Sequence, residues 1–136
     1  MAAEMVVRVA HPDDIVAARQ AGRELASQLG FSLTDVTMIA TAISEVARNI
    51  TSYADHGEIR LSIVQRAGRS MLEVKAVDSG PGIANTDQAL QDGYSSGGGL
   101  GLGLPGARRV MDEFIIDSIV GQGTTVTMRM WAPRHA

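Results

Sequence analysis

The sequence has no cysteine, a single lysine, few aromatic residues and no long apolar run. Without cysteine there are no disulfides and no thiolate metal sites, and a cytoplasmic location fits best. No stretch approaches the ~18 consecutive apolar residues that a membrane-spanning helix needs, and the opening MAAEMVVRVAHPDD lacks the profile of a signal peptide. Eleven of the twelve basic residues are arginine, Lys75 being the exception. The Gly-Lys-Ser/Thr ending of a Walker-A loop is therefore missing, and any nucleotide site must hold its phosphates without that lysine. Twelve basic residues against fifteen acidic ones, for a net charge of −3, exclude nucleic acid as the main partner, since phosphate backbones select for basic domains.

What is present suits one domain spanning residues 1–136, with 45% apolar content to fill a core. Glu4–Ala10 reads as a short strand. His11-Pro12-Asp13-Asp14 opens a helix, with Pro in the first turn and carboxylates at the positive end of the dipole, and Gly30 stops it. A second helix starts at Ser32 and runs to about Tyr53, with Val36, Ile39, Ala40, Ile43, Val46, Ala47 and Ile50 on one apolar face. The period then changes to two: Glu58–Arg66 and Met71–Asp78 pair around a turn at Gly68. A glycine-dense stretch from Ser79 to Gly103 follows, then a helix from Leu104 to about Glu113, and strands Phe114–Val120 and Thr124–Trp131. This order predicts an α/β two-layer sandwich, a mixed β-sheet with helices on one face. A segment of 79–103 without regular structure is longer than compact domains usually tolerate, unless it is disordered or functional. Ordered motifs at both ends favour a mobile lid.

Four elements carry chemistry. On the second helix, Thr41, Glu45, Arg48, Asn49 and Ser52 lie together opposite the apolar face at about 100° per residue. The plain reading is a solvated polar face, but Glu45 and Asn49 sit at i and i+4 and can serve one ligand. Asn offers a neutral oxygen to Mg²⁺ and Glu can accept a proton. The second element, Asp78-Ser79-Gly80-Pro81-Gly82, is turn chemistry at the end of an apolar strand. There a half-buried, acceptor-only carboxylate matches the exocyclic amine of adenine, and glycines let the backbone approach a base. The third, Gly97 to Gly103, opens directly into a helix and makes a phosphate cradle of backbone N–H groups. It follows no first strand, so a Rossmann site is excluded. The fourth, Gly121-Gln122-Gly123-Thr124-Thr125, is a hairpin turn whose hydroxyls can help seat a base.

Taken in order, ExxxN on a helix, DxGxG after a strand, a glycine-rich lid end and a late GxGT resemble the N, G1, G2 and G3 boxes of the GHKL ATPase and kinase superfamily. The resemblance covers essentially the whole chain and implies the Bergerat ATP-binding fold, with ATP and Mg²⁺ as cofactors. It implies Glu45 as general base, Asn49 as Mg²⁺ ligand, Asp78 as adenine reader with Gly80 and Gly82 beside it, Gly99, Leu100, Gly101 and Gly103 as the phosphate-binding lid end, and Thr124 or Thr125 as the base-side hydroxyl. Arg48, Arg108 and Arg109 remain open as sources of charge, the latter two reading first as helix-surface residues. Length argues against the transducer-bearing ATPases, and His11, His56 and His135 do not lie on a preceding phospho-acceptor helix. DIVAARQAGRELASQLGF, TAISEVARNITSYA and GGGLGLGLPGARRVMDEF resemble the stressosome branch of the small serine kinases of bacterial partner switching. That implies serine or threonine phosphorylation of STAS-domain scaffold proteins, followed by activation of a PP2C-type phosphatase. The alternatives are an anti-sigma factor with serine kinase activity and a nucleotide-gated binding module with negligible kinase activity.

Overall fold

The structure is a computed structural model that describes residues 4–82 and 103–133. Strand β1 spans Glu4–Val9, helix α1 Pro12–Gln28 and helix α2 Leu33–Tyr53. Strands β2 (Gly57–Arg66) and β3 (Arg69–Asp78) follow, then helix α3 (Gly103–Val110) and strands β4 (Glu113–Ile119) and β5 (Gly123–Trp131). Local chemistry sets the helix starts. Asp14 accepts the backbone N–H groups of Ala10 and His11 at 2.8 and 3.0 Å, with Pro12 filling the first turn of α1. Ser32 caps α2 by accepting the N–H of Asp35. Gly30, at φ +85°, ends the α1 segment in the left-handed region. Helix α3 stops at Val110 and does not reach Glu113, because Glu113 is recruited into β4 opposite Arg129.

The five strands form one sheet in the order β1-β2-β3-β5-β4. Every pairing is antiparallel, where a mixed sheet was expected. The connections explain the difference. Helices α1 and α2 form an out-and-back pair, so the chain returns to the end of β1 that it left, and Gly57 pairs with Val9. The connection from β3 does bring the chain through α3 into a β4 that runs parallel to β3. The hairpin to β5 then folds that strand between them, so the two parallel strands never touch.

Alternation along the strands puts Val7, Ile59, Ala76, Val126 and Ile116 in one row across the sheet and Met5, Leu61, Val74, Met128 and Phe114 in the next. These rows meet the apolar faces of the helices in a single core containing Ile15, Leu25, Ile39, Ile43, Ile50 and Leu104. Helix α2 lies between α1 and α3 over the sheet and is buried through its middle. Among the described residues, no helix is long and apolar enough to cross a membrane.

The opposite sheet face carries ion pairs. Arg129 donates to Glu73 at 2.7 Å and to Glu113 at 3.0 Å, while Arg66 also holds Glu113. The guanidinium groups of Arg69 and Arg66 lie 4.7 and 5.8 Å from the centre of the Trp131 ring. Hydrogen bonds from Arg66 and then Arg129 hold the Glu113 carboxyl at about 2, below its ordinary 4.5. A depressed folded-state value means the stabilisation is fully present above the unfolded value and is lost as pH falls through the folded one. Acid titration followed by circular dichroism should therefore show stability declining between pH 4.5 and about 2, with a shallower decline in Glu113→Gln. Identical acid profiles for the two proteins would remove Glu113 from the account.

The β2–β3 turn stores a local strain. Arg66 pairs with Arg69, leaving Ala67 and Gly68 as the two turn residues, at φ +54° and +76°. Type I′ turns need positive φ at both positions and favour Asn-Gly, whereas an alanine there costs about 1–2 kcal/mol. Ala67→Asn should stabilise the protein by up to about 1 kcal/mol, read as a higher denaturation midpoint; a lower midpoint would contradict this account of the turn.

Candidate functional site

Helix α2 supplies the most unusual chemistry in the molecule. Its sequence places Glu45 and Asn49 opposite the apolar stripe, where a plain amphipathic helix would leave them in water. Instead each is only 3% exposed, in the middle of a helix that packs against α1, α3 and the sheet. Glu45 Oε1 accepts a 2.6 Å charge-assisted hydrogen bond from Arg48 Nη1. Glu45 Oε2 and Asn49 Oδ1 are buried with no hydrogen-bond partner among the described residues. An unsatisfied buried polar atom costs about 1–3 kcal/mol, so two on one helix face, one turn apart, make this face the candidate site. Four hydroxyls of the helix are committed: Thr37, Thr41, Ser44 and Thr51 donate to backbone carbonyls of their own helix.

The second half of the site lies where β3 ends. Asp78 pairs with Gly57 on one side and Thr124 on the other, and Thr124 pairs with Ser118. Asp78 Oδ1 accepts the N–H of Gly80 at 2.9 Å, a turn that leaves Oδ2 for another group. Thr124 is buried and its hydroxyl lies 2.8 Å from that of Ser118. Strand alternation separates the two threonines: Thr124 shares the helix-side face with Asp78, while Thr125 sits on the other face with Val77 and Asp117. Ser118 was not singled out from the sequence; only the β4–β5 register, three residues either side of Gly121, brings it to Thr124.

The glycines here answer to close packing. Gly82 has φ +80°, and a β-carbon on it would lie 2.5 Å from the Ile119 carbonyl oxygen. Gly123, at φ +132°, passes so close to the Asp78 carbonyl that no side chain fits. Gly80 lies against Ala54 and the Tyr53 carbonyl at the end of α2. These contacts, with a 2.8 Å hydrogen bond from Gly121 N to Pro81 O, lock the Asp78 turn to the C-terminus of α2 and the β4–β5 turn. Asn49 is one helical turn, about 6 Å, inward from Tyr53, and Glu45 one turn further. Asp78, Asn49 and Glu45 therefore mark successive stations from the sheet end along α2.

Gly103 is buried at the start of α3 with φ +53°. Gly99, Leu100, Gly101 and most of the expected lid lie outside the described residues. Arg108 and Arg109 sit on the exposed side of α3, in keeping with the surface reading. Among the described residues no group of three or more His, Cys, Asp or Glu could hold a metal ion by itself. One buried, unpartnered amide oxygen on Asn49 is what a magnesium ion needs from the protein when phosphates and water supply the remaining oxygens. A cavity of about 530 Å³ at the far end, beside Gln28 and the Ala67 turn, contains none of these residues.

Comparison with known proteins bears on the fold and the family. Residues 9–130 match the histidine kinase-like ATPase domain. The serine/threonine-protein kinase RsbT of Bacillus subtilis (strain 168) is 48% identical over 92% of this chain and 94% of its own length. An anti-sigma F factor of Geobacillus thermodenitrificans is 34% identical over 76% of this chain and 74% of its own. The solved structure of the mycobacterial sensor histidine kinase MprB superposes with a TM-score of 0.58 at 16% identity, covering 98% of this chain and all of that one, a likeness of fold alone.

Since Asp78 Oδ1 is engaged by Gly80, Asp78→Asn preserves the turn and alters the outward group, which can become a donor. ATP affinity measured by calorimetry should fall about 10- to 100-fold, the equivalent of ~1.5–3 kcal/mol, with an unchanged melting temperature. Unchanged affinity in the folded variant would take Asp78 out of the base-reading role.

Proposed function

The chain belongs to the histidine kinase-like ATPase family, and from that premise we propose that it is an ATP-dependent protein serine/threonine kinase whose phosphotransfer centre is Glu45 with Asn49. The observation that carries the assignment is the pair of buried, unpartnered oxygens, Glu45 Oε2 and Asn49 Oδ1, on one face of α2. The 48% identity to a kinase of nearly equal length supports it.

In this reading Asp78 and Thr124 hold the adenine end of ATP against the strand termini, with Gly80 and Gly82 giving the base close access. The triphosphate runs along α2 toward Gly103 and the glycine segment that precedes it. Asn49 Oδ1 would hold the magnesium ion, which neutralises phosphate charge when bound. Glu45 Oε2 accepts the proton of a seryl or threonyl hydroxyl as its oxygen bonds to the γ-phosphorus. The bond from that phosphorus to the bridging oxygen breaks, and ADP leaves with the electron pair. Positioning and charge neutralisation dominate such transfers, and a desolvated carboxylate held in place provides the first.

The acceptor is proposed to be a STAS-domain scaffold protein of a bacterial stress-response switch, in the cytoplasm. Release after phosphorylation then allows activation of a PP2C-type phosphatase. A phosphate of charge about −1.5 to −2 at a docking contact is enough to break it. The anti-sigma F relative supports a second reading, in which a sigma factor is also bound; its lower identity and coverage rank it behind the first.

Transfer of radiolabelled γ-phosphate to a purified, folded STAS-domain protein tests the proposal. The unaltered chain should label it, while Glu45→Gln should lose transfer by several orders of magnitude and keep ATP affinity. Full transfer by the variant would refute the base assignment. Co-purification with a sigma factor, and no labelling of any STAS protein, would favour the anti-sigma reading.

A further inference from the structure

Arg48 is held by a contact that the reaction scheme above does not use. Its Nη1 donates to Glu45 Oε1 at 2.6 Å from one turn away on the same helix. The Glu45 side chain is 3% exposed and that of Arg48 28%, so the cation sits at the rim and the carboxylate inside. Of the two carboxylate oxygens, one is taken by Arg48 and the other, Oε2, has no partner. A carboxylate with both oxygens free can rotate about its terminal torsion, which is broad and roughly two-fold. A short charge-assisted bond to one oxygen removes that freedom and fixes where the other oxygen lies.

We propose that Arg48 is a positioning residue for phosphotransfer: it clamps Glu45 by Oε1 so that Oε2 is held ready for the acceptor hydroxyl. The proposal rests on Glu45 being the proton acceptor. Arg48 acts through Glu45 and need not touch ATP. It also gives the buried carboxylate the opposite charge without which its burial would be strongly unfavourable. Because the pair spans adjacent turns of one rigid helix, the clamp is in place before nucleotide or partner arrives. Arginine suits the task better than lysine, since its planar fork keeps a fixed donor direction while an ammonium on a flexible stem does not.

The test uses the full chain, ATP with magnesium, and a STAS-domain protein that the unaltered chain labels. Arg48→Met should lower kcat about 100-fold, the scale on which a small misplacement of a reacting group acts, with ATP Kd and the KM for ATP changed by no more than about twofold. Arg48→Lys should recover about tenfold of that loss by restoring a donor. Arg48→Gln serves as the second neutral variant, and melting curves together with ATP binding confirm that each protein is folded. In a Glu45→Gln background, adding Arg48→Met should cause no further loss, because the residue it positions is already gone. An undiminished kcat in Arg48→Met, with Glu45→Gln inactive, would overturn the clamp and leave the base assignment standing. A parallel loss of ATP affinity, or a double variant clearly below Glu45→Gln, would overturn it in favour of a direct contact with the nucleotide. Full activity of Glu45→Gln would overturn both assignments together.

Discussion

Enclosure of α2 is the constraint on which the other features depend. With α1, α3 and the sheet packed against it, the middle of α2 is buried, and Glu45 and Asn49 are carried into the interior while Thr37 and Ser52 nearer its ends stay exposed. There an unpaired oxygen is a standing cost of about 1–3 kcal/mol, offset by the apolar contacts that α2 makes along the rest of its length. The same desolvation strengthens each polar contact that a ligand later makes, because the local dielectric is lower than that of water. The site is thus a stable scaffold with a deliberately incomplete hydrogen-bond inventory at one place.

The sheet divides the molecule into two surfaces with different work. Its helix-side face supplies the core and, at one end, Asp78, Thr124 and Ser118 in a single cross-strand line. That line exists because β5 is folded between β3 and β4. Had β4 paired directly with β3, Thr124 would not lie beside Asp78. The other face carries Glu73, Arg129, Glu113 and Arg66 as an ion-pair chain that ties β2, β3, β4 and β5 together. Among the described residues that face carries no helix, and polar contacts join its strands where the other face is held by burial.

Much of this was legible in the residues. Helical spacing put Glu45 and Asn49 one turn apart, the end of an apolar period-two run put Asp78 at a strand terminus, and the lack of a Gly-Lys-Ser/Thr loop excluded the commonest phosphate site. Such features are local: they depend on 3.6- and 2-residue periods and on what glycine, proline and carboxylates do to nearby backbone. Helix and strand positions followed for the same reason, apart from end residues such as Glu113, whose strand membership comes from a partner sixteen residues away.

What tertiary structure alone decided were the matters of neighbourhood. Periodicity gave Glu45 and Asn49 a common face but not its environment, since burial depends on whether another helix covers that face. Nor did it distinguish Thr124 from Thr125, because a single step of register exchanges the two sides of a strand. The all-antiparallel pairing and the place of Ser118 beside Thr124 likewise arise from which elements pack together. Local chemistry wrote the parts of this site into the sequence, and long-range packing determined which atoms were left without partners.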